Sequence, residues 1–411
     1  MPPARVLYVD LAPTVGGSII SLYYLVKGLE RERFEPHIVL RAGNPYAARL
    51  RALKVPVTLV GAPGNPTQAG DRPAVARARQ GRLARWLKGN AAGEAVVHWA
   101  GFYARQYPVV RREAEEIAAL MRVWRPHLVH LNDIIAVTRA GVVAAKQLGV
   151  PAICHLRAMD TRTFYDRRLS RSLRGYICIS QAVNAHQHSL GGRTEPAWVV
   201  YNGVDLADID QPVDGAQVRA ELGLRSDDQV IGCVGRLVAW KGQAVFLRAL
   251  AALAPQRPNL RGVLVGAPEG NTQAYLQGLH ALADELGIAQ RLIWTGYRED
   301  VPRLLHALDV LVHASTAPEP FGRVLIEGMA AGVAVVGTRA GAVPEIITDG
   351  VNGLTVPPGD AEAMAGAIAR VLDHPDEAAA WRRAARATVE QHFTLDAYVR
   401  GVQRVYEEIL G

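Results

Sequence analysis

The chain has 411 residues, of which 21% are charged and 49% belong to the set AVILMFWYC, a balance that is typical of a globular protein and excludes a disordered or fibrous chain. This length predicts two domains, each able to bury its own core. The net charge of +7 is unevenly divided, because residues 1–206 carry 28 basic and 14 acidic side chains (+14) and residues 207–411 carry 18 and 25 (−7), which suggests different partners for the two halves.

The N-terminal sequence lacks the apolar region of a signal peptide. No uninterrupted apolar run reaches the roughly 18 residues that a bilayer-spanning helix needs. Cys154, Cys178 and Cys233 each lie in an apolar strand-like run, and their spacing fits neither a metal site nor a redox pair. These features predict buried thiols in a reducing cytoplasm, and a soluble or peripheral protein.

The first elements are a strand-like run at residues 5–10, the loop Val15-Gly16-Gly17-Ser18, and an apolar-periodic helix over residues 19–30. The run has the unbroken apolar character of a buried parallel strand. Gly16 and Gly17 allow positive φ and close approach of another molecule to the backbone. From these residues alone, a simple tight turn is at least as good an interpretation as a binding loop.

A one-signed stretch, here called the basic run, comprises Arg72, Arg77, Arg79, Arg82, Arg85 and Lys88. Aromatic residues lie in it or just after it: Trp86, Trp99, Phe102, Tyr103 and Tyr107. Basic residues with interleaved aromatics are typical of a segment that binds an anionic membrane surface. A solvated helical insertion is the alternative, and nucleic-acid binding is a third that no known motif supports.

Strand-like runs recur with helical stretches between most of them, at residues 36–40, 57–60, 128–131, 152–155, 176–179 and 198–200. This alternation predicts a parallel sheet covered on both faces. His155 ends one of these runs and is therefore expected at the carboxyl edge of the sheet, where ligands bind. A lone histidine at a strand end is also often structural, so its position alone leaves both roles open.

The sequence becomes polar over residues 205–228, where we predict the interdomain linker, and the alternation then restarts at residues 230–234. Further strand-like runs follow at residues 262–265, 291–294, 310–313 and 334–336. The sequence thus predicts an α/β protein with domains at 1–206 and 207–394. A last helix from residue 395 to residue 411 is expected to pack back on the first domain.

The segment Gly235-Arg236-Leu-Val-Ala-Trp-Lys241-Gly242 follows a strand and opens a helix. A helix start usually favours acidic residues, because its free N–H groups carry positive charge. Arg236 and Lys241 therefore indicate an anionic ligand, with the arginine as a fork and the lysine as a point charge. A solvated helix start is the alternative.

A second segment, Ser315-Thr-Ala-Pro-Glu319-Pro-Phe-Gly-Arg-Val-Leu-Ile-Glu327, has two glutamates eight positions apart across a predicted strand-to-helix turn. Glu319 precedes the helix, and Glu327 is expected about two turns along it. A helix start binds anions, so the two carboxylates could hold hydroxyls on either side of a diphosphate. The alternative is a helix with solvated acids at both ends.

Together the two segments resemble the G-R-x4-K-G and E-x7-E motifs of the retaining glycosyltransferases of family 4, and the resemblance extends more loosely over nearly the whole chain. It implies the GT-B fold, with two facing Rossmann-like, doubly wound domains and an interdomain active-site cleft. The implied activity is metal-independent transfer of a sugar, with retention, from a nucleoside diphosphate sugar to a hydroxyl. A UDP sugar is favoured over a GDP sugar, and no cofactor is implied.

The resemblance also assigns roles to individual residues. Catalytic roles fall on His155, which contacts the transferred sugar, and on Arg236, Lys241 and Glu319. Donor-binding roles fall on Gly16, Gly17, Arg236, Lys241, Phe321, Gly322, Arg323, Val324 and Glu327, with Glu319 on sugar hydroxyls and Glu327 on the ribose. The family often has an acidic residue directly after the histidine, whereas this chain has Leu156. Either Arg157 or Asp160 takes the role of that acidic residue, or the acceptor pocket differs.

The implied partners are a nucleotide-sugar donor and a glycan, lipid-linked glycan or small-molecule acceptor, with no nucleic acid. The protein is expected in the cytoplasm, and at the inner face of the cell membrane if the basic run binds lipid. No Asp-x-Asp of the kind that holds a divalent ion is recognised, and the histidines lack ligand spacing. Two alternatives remain, a GT-B epimerase that needs no acceptor and a non-catalytic nucleotide-sugar-binding scaffold. Both motifs argue against the epimerase, and the intact Glu319, Lys241 and His155 disfavour the scaffold.

Overall fold

The computed structural model describes residues 2–13, 16–63, 91–268 and 272–411, with only the backbone described for residues 91–105. The chain divides into two compact units. Unit 1 comprises Met1–Cys178, His186–Trp198 and Gln403–Gly411, and unit 2 comprises Ile179–Ala185 and Val199–Val402. The predicted domain limits at residues 206 and 394 stay predictions, because compactness alone does not define a domain.

Unit 1 is built on a sheet to which the described residues contribute seven strands in the order β3-β2-β1-β4-β5-β6-β7. The strands are β1 (Ala4–Asp10), β2 (Phe34–Arg41), β3 (Val57–Val60), β4 (Leu128–Leu131), β5 (Ala152–Leu156), β6 (Gly175–Cys178) and β7 (Ala197–Val199). Each pair from β3 through to β6 is parallel. Residues 6–9 of β1 are all fully buried, as expected for a parallel strand covered on both faces.

Helices connect these strands: α1 (Gly17–Gly28), α2 (Tyr46–Ala52), α3 (Ala91–Trp124), α4 (Ile135–Leu148), α5 (Phe164–Ser170) and α6 (Gln181–His188). The long helix α3 is tied to the sheet by an ion pair between Arg41 of β2 and Glu113, with Nη1 2.6 Å from Oε1 and both side chains buried. The three cysteines are free and buried, as predicted.

Unit 2 has a parallel sheet to which the described residues contribute six strands in the order β10-β9-β8-β11-β12-β13. These are β8 (Gln229–Val234), β9 (Leu260–Val265), β10 (Leu292–Gly296), β11 (Val310–His313), β12 (Ala334–Thr338) and β13 (Leu354–Val356). Its helices are α7 (Leu206–Ile209), α8 (Gly215–Glu221), α9 (Gln243–Leu253), α10 (Gln273–Glu285), α11 (Val301–Leu305), α12 (Arg323–Ala330), α13 (Val343–Ile346), α14 (Ala361–Asp373) and α15 (Pro375–His392).

The segment expected to be a polar linker, residues 205–228, contains the short helices α7 and α8. Asp205 accepts a hydrogen bond from the backbone N–H of Ala207, and Asp214 accepts from Ala216 and Gln217. Aspartate at a helix N-cap satisfies N–H groups that have no partner within the helix. These acidic residues therefore cap helices.

The last helix, α16 (Leu395–Leu410), contributes to both units, since Val402 belongs to unit 2 and Gln403 to unit 1. Within unit 1, Gln403 donates from Nε2 to Oε1 of Glu30 over 2.7 Å. Trp198 donates from its indole N–H to Oε2 of Glu408 over 2.8 Å. Among the described residues, no helix combines the length and apolar character needed to cross a bilayer.

Each sheet has one point at which successive connections leave in opposite directions. It lies between β1 and β4 in unit 1 and between β8 and β11 in unit 2. Ligands of doubly wound sheets bind at this switch point, outside the carboxyl ends of the strands. The loops that follow these four strands are therefore where functional residues are expected.

Candidate active site

The loop between β11 and α12 carries Glu319 at the switch point of unit 2. Its backbone forms an isolated bridge with Gly341, and the N–H of Ala342 donates to the Glu319 carbonyl over 2.8 Å. A Cβ on Gly341 would lie 2.2 Å from that carbonyl oxygen, and its φ is +62°. The backbone at Glu319 therefore requires a glycine at position 341, and these contacts fix the backbone that carries the Glu319 side chain.

Three donors converge on one oxygen of Glu319. Oε2 lies 2.7 Å from Nζ of Lys241, 2.9 Å from Oγ of Ser315 and 3.0 Å from Nε2 of His313. Burial acts to raise the pKa of Glu319, but the hydrogen bond from His313 and the charge of Lys241 outweigh it, so the pKa lies well below the usual glutamate range. Glu319 is therefore an anion that can only accept hydrogen bonds.

The second oxygen, Oε1, receives no hydrogen bond from the residues that the structure describes. A carboxylate oxygen that is oriented through its twin can accept from the hydroxyl groups of a bound polyol. The cluster of Lys241, His313, Ser315 and Glu319, here called the carboxylate cluster, is therefore suited to holding hydroxyls.

Lys241 is brought to Glu319 by a close approach between two loops. The short 3-10 helix Ala239–Lys241 follows β8 and ends at Gly242, whose φ is +69°. A Cβ at Gly242 would lie 1.9 Å from the carbonyl oxygen of Ala314, directly after β11. The N–H of Thr316 also donates to the Trp240 carbonyl over 2.8 Å. Only glycine at position 242 lets the β8 and β11 loops meet in this way.

Arg236 lies in the same loop after β8, with its side chain exposed. Its carbonyl accepts a hydrogen bond from Nε2 of Gln243, in the first turn of α9, over 2.9 Å. Helix α9 has no side-chain cap at its N-terminus, and its N-cap is Gly242. Arg236, Lys241 and an uncapped helix start therefore lie close together along the chain, an arrangement that suits an anion.

Helix α12 begins at Arg323, after Gly322 in the left-handed conformation with φ of +94°. Its N-cap residue, Gly322, has no side chain that could cap the helix. Because residues 319–322 are not helical, Glu327 lies just over one turn along the helix, and the expected position two turns along was wrong. Oε1 of Glu327 pairs with Nη2 of Arg323 over 3.0 Å. Val324, the residue after Arg323, is half-buried.

Phe321, predicted to bind the donor, has a ring that is only 2% exposed. It packs on Tyr201 and Phe393, with ring centroids 6.1 and 6.0 Å away. The residue before Phe321 is also held, since Ser180 donates to the Pro320 carbonyl over 2.7 Å. The ring therefore supports the loop between Glu319 and Gly322, and a ligand would contact this residue through its backbone.

Glu345 caps α6 in unit 2. Its two carboxylate oxygens accept from the backbone N–H groups of Gln181 and Ala182, each over 2.8 Å. The same segment is held by Ser180, whose hydroxyl accepts from the N–H of Val183 over 3.0 Å. Glu345 is therefore a structural residue.

In unit 1, the switch point brings together residues that follow β1, β4 and β5. Asn132 donates from Nδ2 to Oδ2 of Asp10 over 2.8 Å and to the Ser18 carbonyl over 3.0 Å. Its Oδ1 accepts from Nη2 of Arg157 over 2.7 Å. Asn132 thus ties the end of β1, the start of α1 and the residue after β5 into one buried group.

The glycines of the first loop lie beside this group. Gly16 has φ of −139°, which is extended backbone, so the positive φ that glycine permits is not used there. A Cβ at Gly16 would have no described atom within 4 Å. Gly17 is the first residue of α1, whose N-cap residue, Gly16, has no side chain that could cap the helix.

Asp133 lies half-buried after Asn132. Burial, together with the neighbouring charge of Asp10, raises the pKa of Asp133 to about 7. Burial likewise raises the pKa of Asp10, although the hydrogen bond from Asn132 opposes it. The carboxyl edge of unit 1 therefore carries two neighbouring carboxyl groups whose pKa values are both raised.

His155 is fully buried in β5. Its Nδ1 lies 3.2 Å from Nε2 of His130, whose Nδ1 lies 2.7 Å from the hydroxyl of Tyr406 in α16. Burial, followed by the charge of Arg157, lowers the pKa of both imidazoles well below the usual value. Both histidines are therefore neutral near pH 7.

The structure brings together Lys241 and Glu319, and it pairs Arg323 with Glu327. Several residues around the carboxylate cluster and in the buried polar groups of unit 1 were not predicted from the sequence. They are Asp10, His130, Asn132, Asp133, His313, Ser315, Gly341 and Tyr406. Most are polar residues at or just after the carboxyl end of a parallel strand, the same signal by which the sequence predicts His155. The basic run lies outside the described residues. No group of three or more His, Cys, Asp or Glu side chains that could hold a metal ion occurs among the residues described.

The fold and the site define a class, namely proteins with two Rossmann-like units that follow each other along the chain. Residues 15–208 match the model "Glycosyltransferase Family 4", and residues 215–388 match "Glycosyl transferases group 1". Between them the two models cover most of the chain. The chain belongs to glycosyltransferase family 4 and has the GT-B fold, as the sequence predicted.

Two curated relatives illustrate the similarity. The D-inositol 3-phosphate glycosyltransferase of Mycobacterium marinum is 40% identical over 184 residues, which is 44% of this chain and 38% of the relative. The lipopolysaccharide core biosynthesis mannosyltransferase LpsB of Rhizobium meliloti is 31% identical over 217 residues, 52% of this chain and 62% of the relative. The aligned part of the chain thus spans only about two fifths to three fifths of the length of these relatives.

A solved structure extends the similarity over the whole fold. HepE of Anabaena in complex with UDP and glucose has a TM-score of 0.79 and 26% identity, covering 98% of this chain and 99% of that one. The same protein in complex with UDP-glucose has a TM-score of 0.80 and 25% identity over 98% and 99%.

Proposed function

We propose that this protein transfers a sugar, with retention of anomeric configuration and without a metal ion, from a nucleoside diphosphate sugar to a hydroxyl of an acceptor. The observation that carries the proposal is the carboxylate cluster of Lys241, His313, Ser315 and Glu319, beside Arg236 at the switch point of unit 2.

The leaving diphosphate would be held by cations and backbone N–H groups. Lys241 and Arg236 supply positive charge in the β8 loop, and α9 and α12 both begin without a side-chain cap. Preorganised donors stabilise charge that develops on a leaving group, because they need no reorganisation during the reaction. The N–H groups of Gly322, Arg323 and Val324 are the proposed phosphate contacts, since α12 starts there.

Glu319 would hold hydroxyls of the donor sugar and would not act as a nucleophile. One of its oxygens already accepts from Lys241, His313 and Ser315, which lowers the electron density available for attack. Glu327 would bind ribose hydroxyls through the carboxylate that Arg323 orients from one side.

Unit 1 would contribute residues on the acceptor side, His155 among them. The folded chain does not require glycine at position 16, because a Cβ there would touch no described atom. A backbone that must approach a diphosphate or a sugar closely does require it. Gly16 and Gly17 are therefore the proposed contacts of this unit to the donor.

The chemical step would take place on one face of the sugar. The bond from the anomeric carbon to the phosphate oxygen breaks, a bond to the acceptor oxygen forms on the same side, and the acceptor proton passes to the leaving phosphate oxygen. This step requires no enzyme nucleophile, which agrees with the engaged state of Glu319.

We propose UDP-glucose or a related UDP sugar as the donor, because HepE was solved with UDP-glucose and with UDP and glucose. For the acceptor, the relatives' names indicate a phosphorylated small molecule in one case and a lipopolysaccharide core in the other. A glycan, lipid-linked glycan or small-molecule acceptor in polysaccharide or glycoconjugate biosynthesis is therefore proposed, at a cytoplasmic site.

The test is to incubate the purified protein with UDP-glucose and candidate acceptors of both kinds, with and without EDTA, and to analyse the product by NMR. We expect a new linkage with the anomeric configuration of the donor, formed at the same rate with the chelator. An inverted centre, or loss of activity in EDTA that Mg²⁺ or Mn²⁺ restores, would contradict the mechanism. An epimerised nucleotide sugar formed without acceptor would establish the epimerase instead.

A further inference from the structure

Helix α5 of unit 1 presents a row of exposed side chains on one face. Phe164, Arg167, Arg168 and Arg171 stand at positions i, i+3, i+4 and i+7, which lie on the same side of a helix. Arg171 follows the helix as its C-cap and still has helical φ and ψ of −65° and −18°. Phe164 is 72% exposed, and the three arginines are exposed as well. These four residues are here called the α5 stripe.

The opposite face of the same helix anchors it to unit 1. Asp166, Leu169 and Ser170 are buried. Asp166 forms a capping box with Thr163 and a two-point ion pair with Arg139, with distances of 2.6 and 2.9 Å between nitrogen and oxygen. The inner face therefore holds the helix in place, and the α5 stripe is not required for its attachment.

The positive charge of the α5 stripe is not neutralised within the described part of the chain. Asp160 and Asp166 are the only acidic residues between positions 157 and 194, and both are buried in ion pairs with other arginines. The arginines of the stripe form no ion pair with any residue that the structure describes. By contrast, the exposed Arg111 and Arg112 of α3 each pair with a glutamate four positions further on.

Helix electrostatics explain only part of this arrangement. Cations near the C-terminus of a helix are favourable, which accounts for Arg168 and Arg171. They do not account for Phe164, which is left in water at the first position of the helix. An aromatic ring in line with basic residues is typical of a segment that lies on an anionic membrane, where the ring enters the interface and the cations meet lipid phosphates.

We propose that the α5 stripe is a contact surface for an anionic lipid bilayer. This surface is separate from the basic run, which lies outside the described residues, and it does not depend on the proposed transferase activity. The loop of residues 157–163 leads to α5 from the carboxyl end of β5, the edge at which unit 1 would contribute its acceptor-side residues. A bilayer at the α5 stripe would thus keep a lipid-linked acceptor close to that edge.

The first experiment measures sedimentation of the full chain with vesicles made of equal parts phosphatidylcholine and phosphatidylglycerol. Changing Arg167, Arg168 and Arg171 to Glu should weaken binding by at least roughly a hundredfold, since each basic residue near an anionic leaflet contributes about fivefold. The control variant changes the exposed Arg248, Arg383 and Arg404 to Glu, which lowers the net charge equally, from +7 to +1. It should bind clearly better than the stripe variant.

The second experiment reports on Phe164 itself. The native cysteines are all buried, so a polarity-sensitive thiol dye should label the variant Phe164→Cys at that position alone. We expect its emission to shift to the blue with the anionic vesicles and to stay unchanged with pure phosphatidylcholine. The same dye on Glu285→Cys, an exposed position of α10, should not respond.

Three results would overturn the proposal. Equal weakening by the two triple variants would show that net charge alone attracts the protein to the vesicles. Unchanged emission at position 164 while the protein sediments would place the contact elsewhere, for example in the basic run. A soluble polyphosphate that binds through the three arginines, without any vesicle-dependent change at position 164, would identify a soluble polyanion as the partner instead.

Discussion

At the scale of residues, Lys241 has two functions in the site. Its Nζ lies 2.7 Å from Glu319 and 4.3 Å from the centre of the Trp240 ring. The ion pair keeps Glu319 ionised. The cation–π contact with the ring of Trp240 helps to hold the ammonium group in position. The proposed function adds a third partner, the leaving diphosphate.

Replacing Lys241 by alanine should therefore lower turnover sharply. Loss of one preorganised contact to developing charge costs about 2.7–4 kcal/mol, or roughly 10²–10³ in kcat. Arg236→Ala should behave similarly, and the double variant should lose less than the sum if both hold one diphosphate. Steady-state kinetics with UDP-glucose measure this, with the exposed Lys146→Ala as the control. Turnover of Lys241→Ala within a few-fold of wild type would refute the phosphate contact.

The variant Glu319→Gln should lose less free energy of unfolding in acid than the wild type does. The folded-state pKa of Glu319 is depressed, so its contribution to the free energy of unfolding is present above the ordinary glutamate value of about 4.3 and is lost as the pH falls through the lower folded value. At pH 7 the variant should be less stable by at most about 3 kcal/mol, since one partner of a mostly buried pair loses its charge.

Urea unfolding at pH 7, 5 and 3.5 measures this difference. The gap between wild type and Glu319→Gln should be constant from pH 7 to 5 and should narrow below pH 4. The exposed Glu285→Gln serves as the control. A gap that widens in acid would show that Glu319 is not held as a stabilised anion.

Sequence patterns located some of these residues and missed others for a physical reason. Glu319 and Lys241 stand in motifs with fixed spacing, so both could be selected without a structure. His313 and Ser315 lie 6 and 4 positions before Glu319, and only the turn of the loop directs them to its carboxylate. The spacing that placed Glu327 two turns along a helix did not account for residues 319–322, which precede the helix and are not helical.

At the scale of elements, the loops after β8 and β11 meet because position 242 has no side chain. The limits of most strands could be predicted, since unbroken apolar runs mark buried parallel strands. The edge strand β13 (Leu354–Val356) was missed, because three residues between polar turns give no periodic signal. A close approach between loops, such as that of Gly242 to Ala314, is marked in the amino-acid sequence only by a glycine.

Gly242→Ala should destabilise unit 2 by more than backbone strain alone explains. Gly242 and Gly332 have nearly the same φ, +69° and +72°. A Cβ would lie 1.9 Å from the carbonyl oxygen of Ala314 at the first position and would have no described atom within 4 Å at the second. A left-handed conformation costs an alanine about 1–2 kcal/mol, so Gly332→Ala should lose that amount and Gly242→Ala clearly more. Denaturant unfolding compares them, and equal losses would show that the contact is unimportant.

At the scale of the whole molecule, the two halves of the sequence differ sharply in net charge. Residues 1–206 carry +14, and six of their basic residues form the basic run. An anionic leaflet attracts basic residues by about 1 kcal/mol each when they lie near its surface. A lipid-linked acceptor would make such attraction useful, whereas a small-molecule acceptor would not need it.

We therefore predict that the protein sediments with liposomes that contain anionic lipid, and that salt weakens this binding through screening. Changing Arg79, Arg82 and Arg85 to Glu should abolish it. Changing Arg111 and Arg112 to Glu, exposed residues of α3 outside the basic run, should have a smaller effect. Equal recovery in the supernatant with and without anionic vesicles would leave the basic run as a solvated insertion and the transferase proposal intact.

The central claim is that the carboxylate cluster of unit 2 and the cations beside it bind a nucleoside diphosphate sugar. Calorimetric titration of UDP-glucose into the wild type, Lys241→Ala and Lys146→Ala tests it most directly. We predict saturable binding by the wild type and by Lys146→Ala, and binding at least about tenfold weaker, a loss of about 1.4 kcal/mol, by Lys241→Ala. Equal affinity in all three proteins, or no binding of UDP-glucose or any other nucleoside diphosphate sugar to the wild type, would contradict the account.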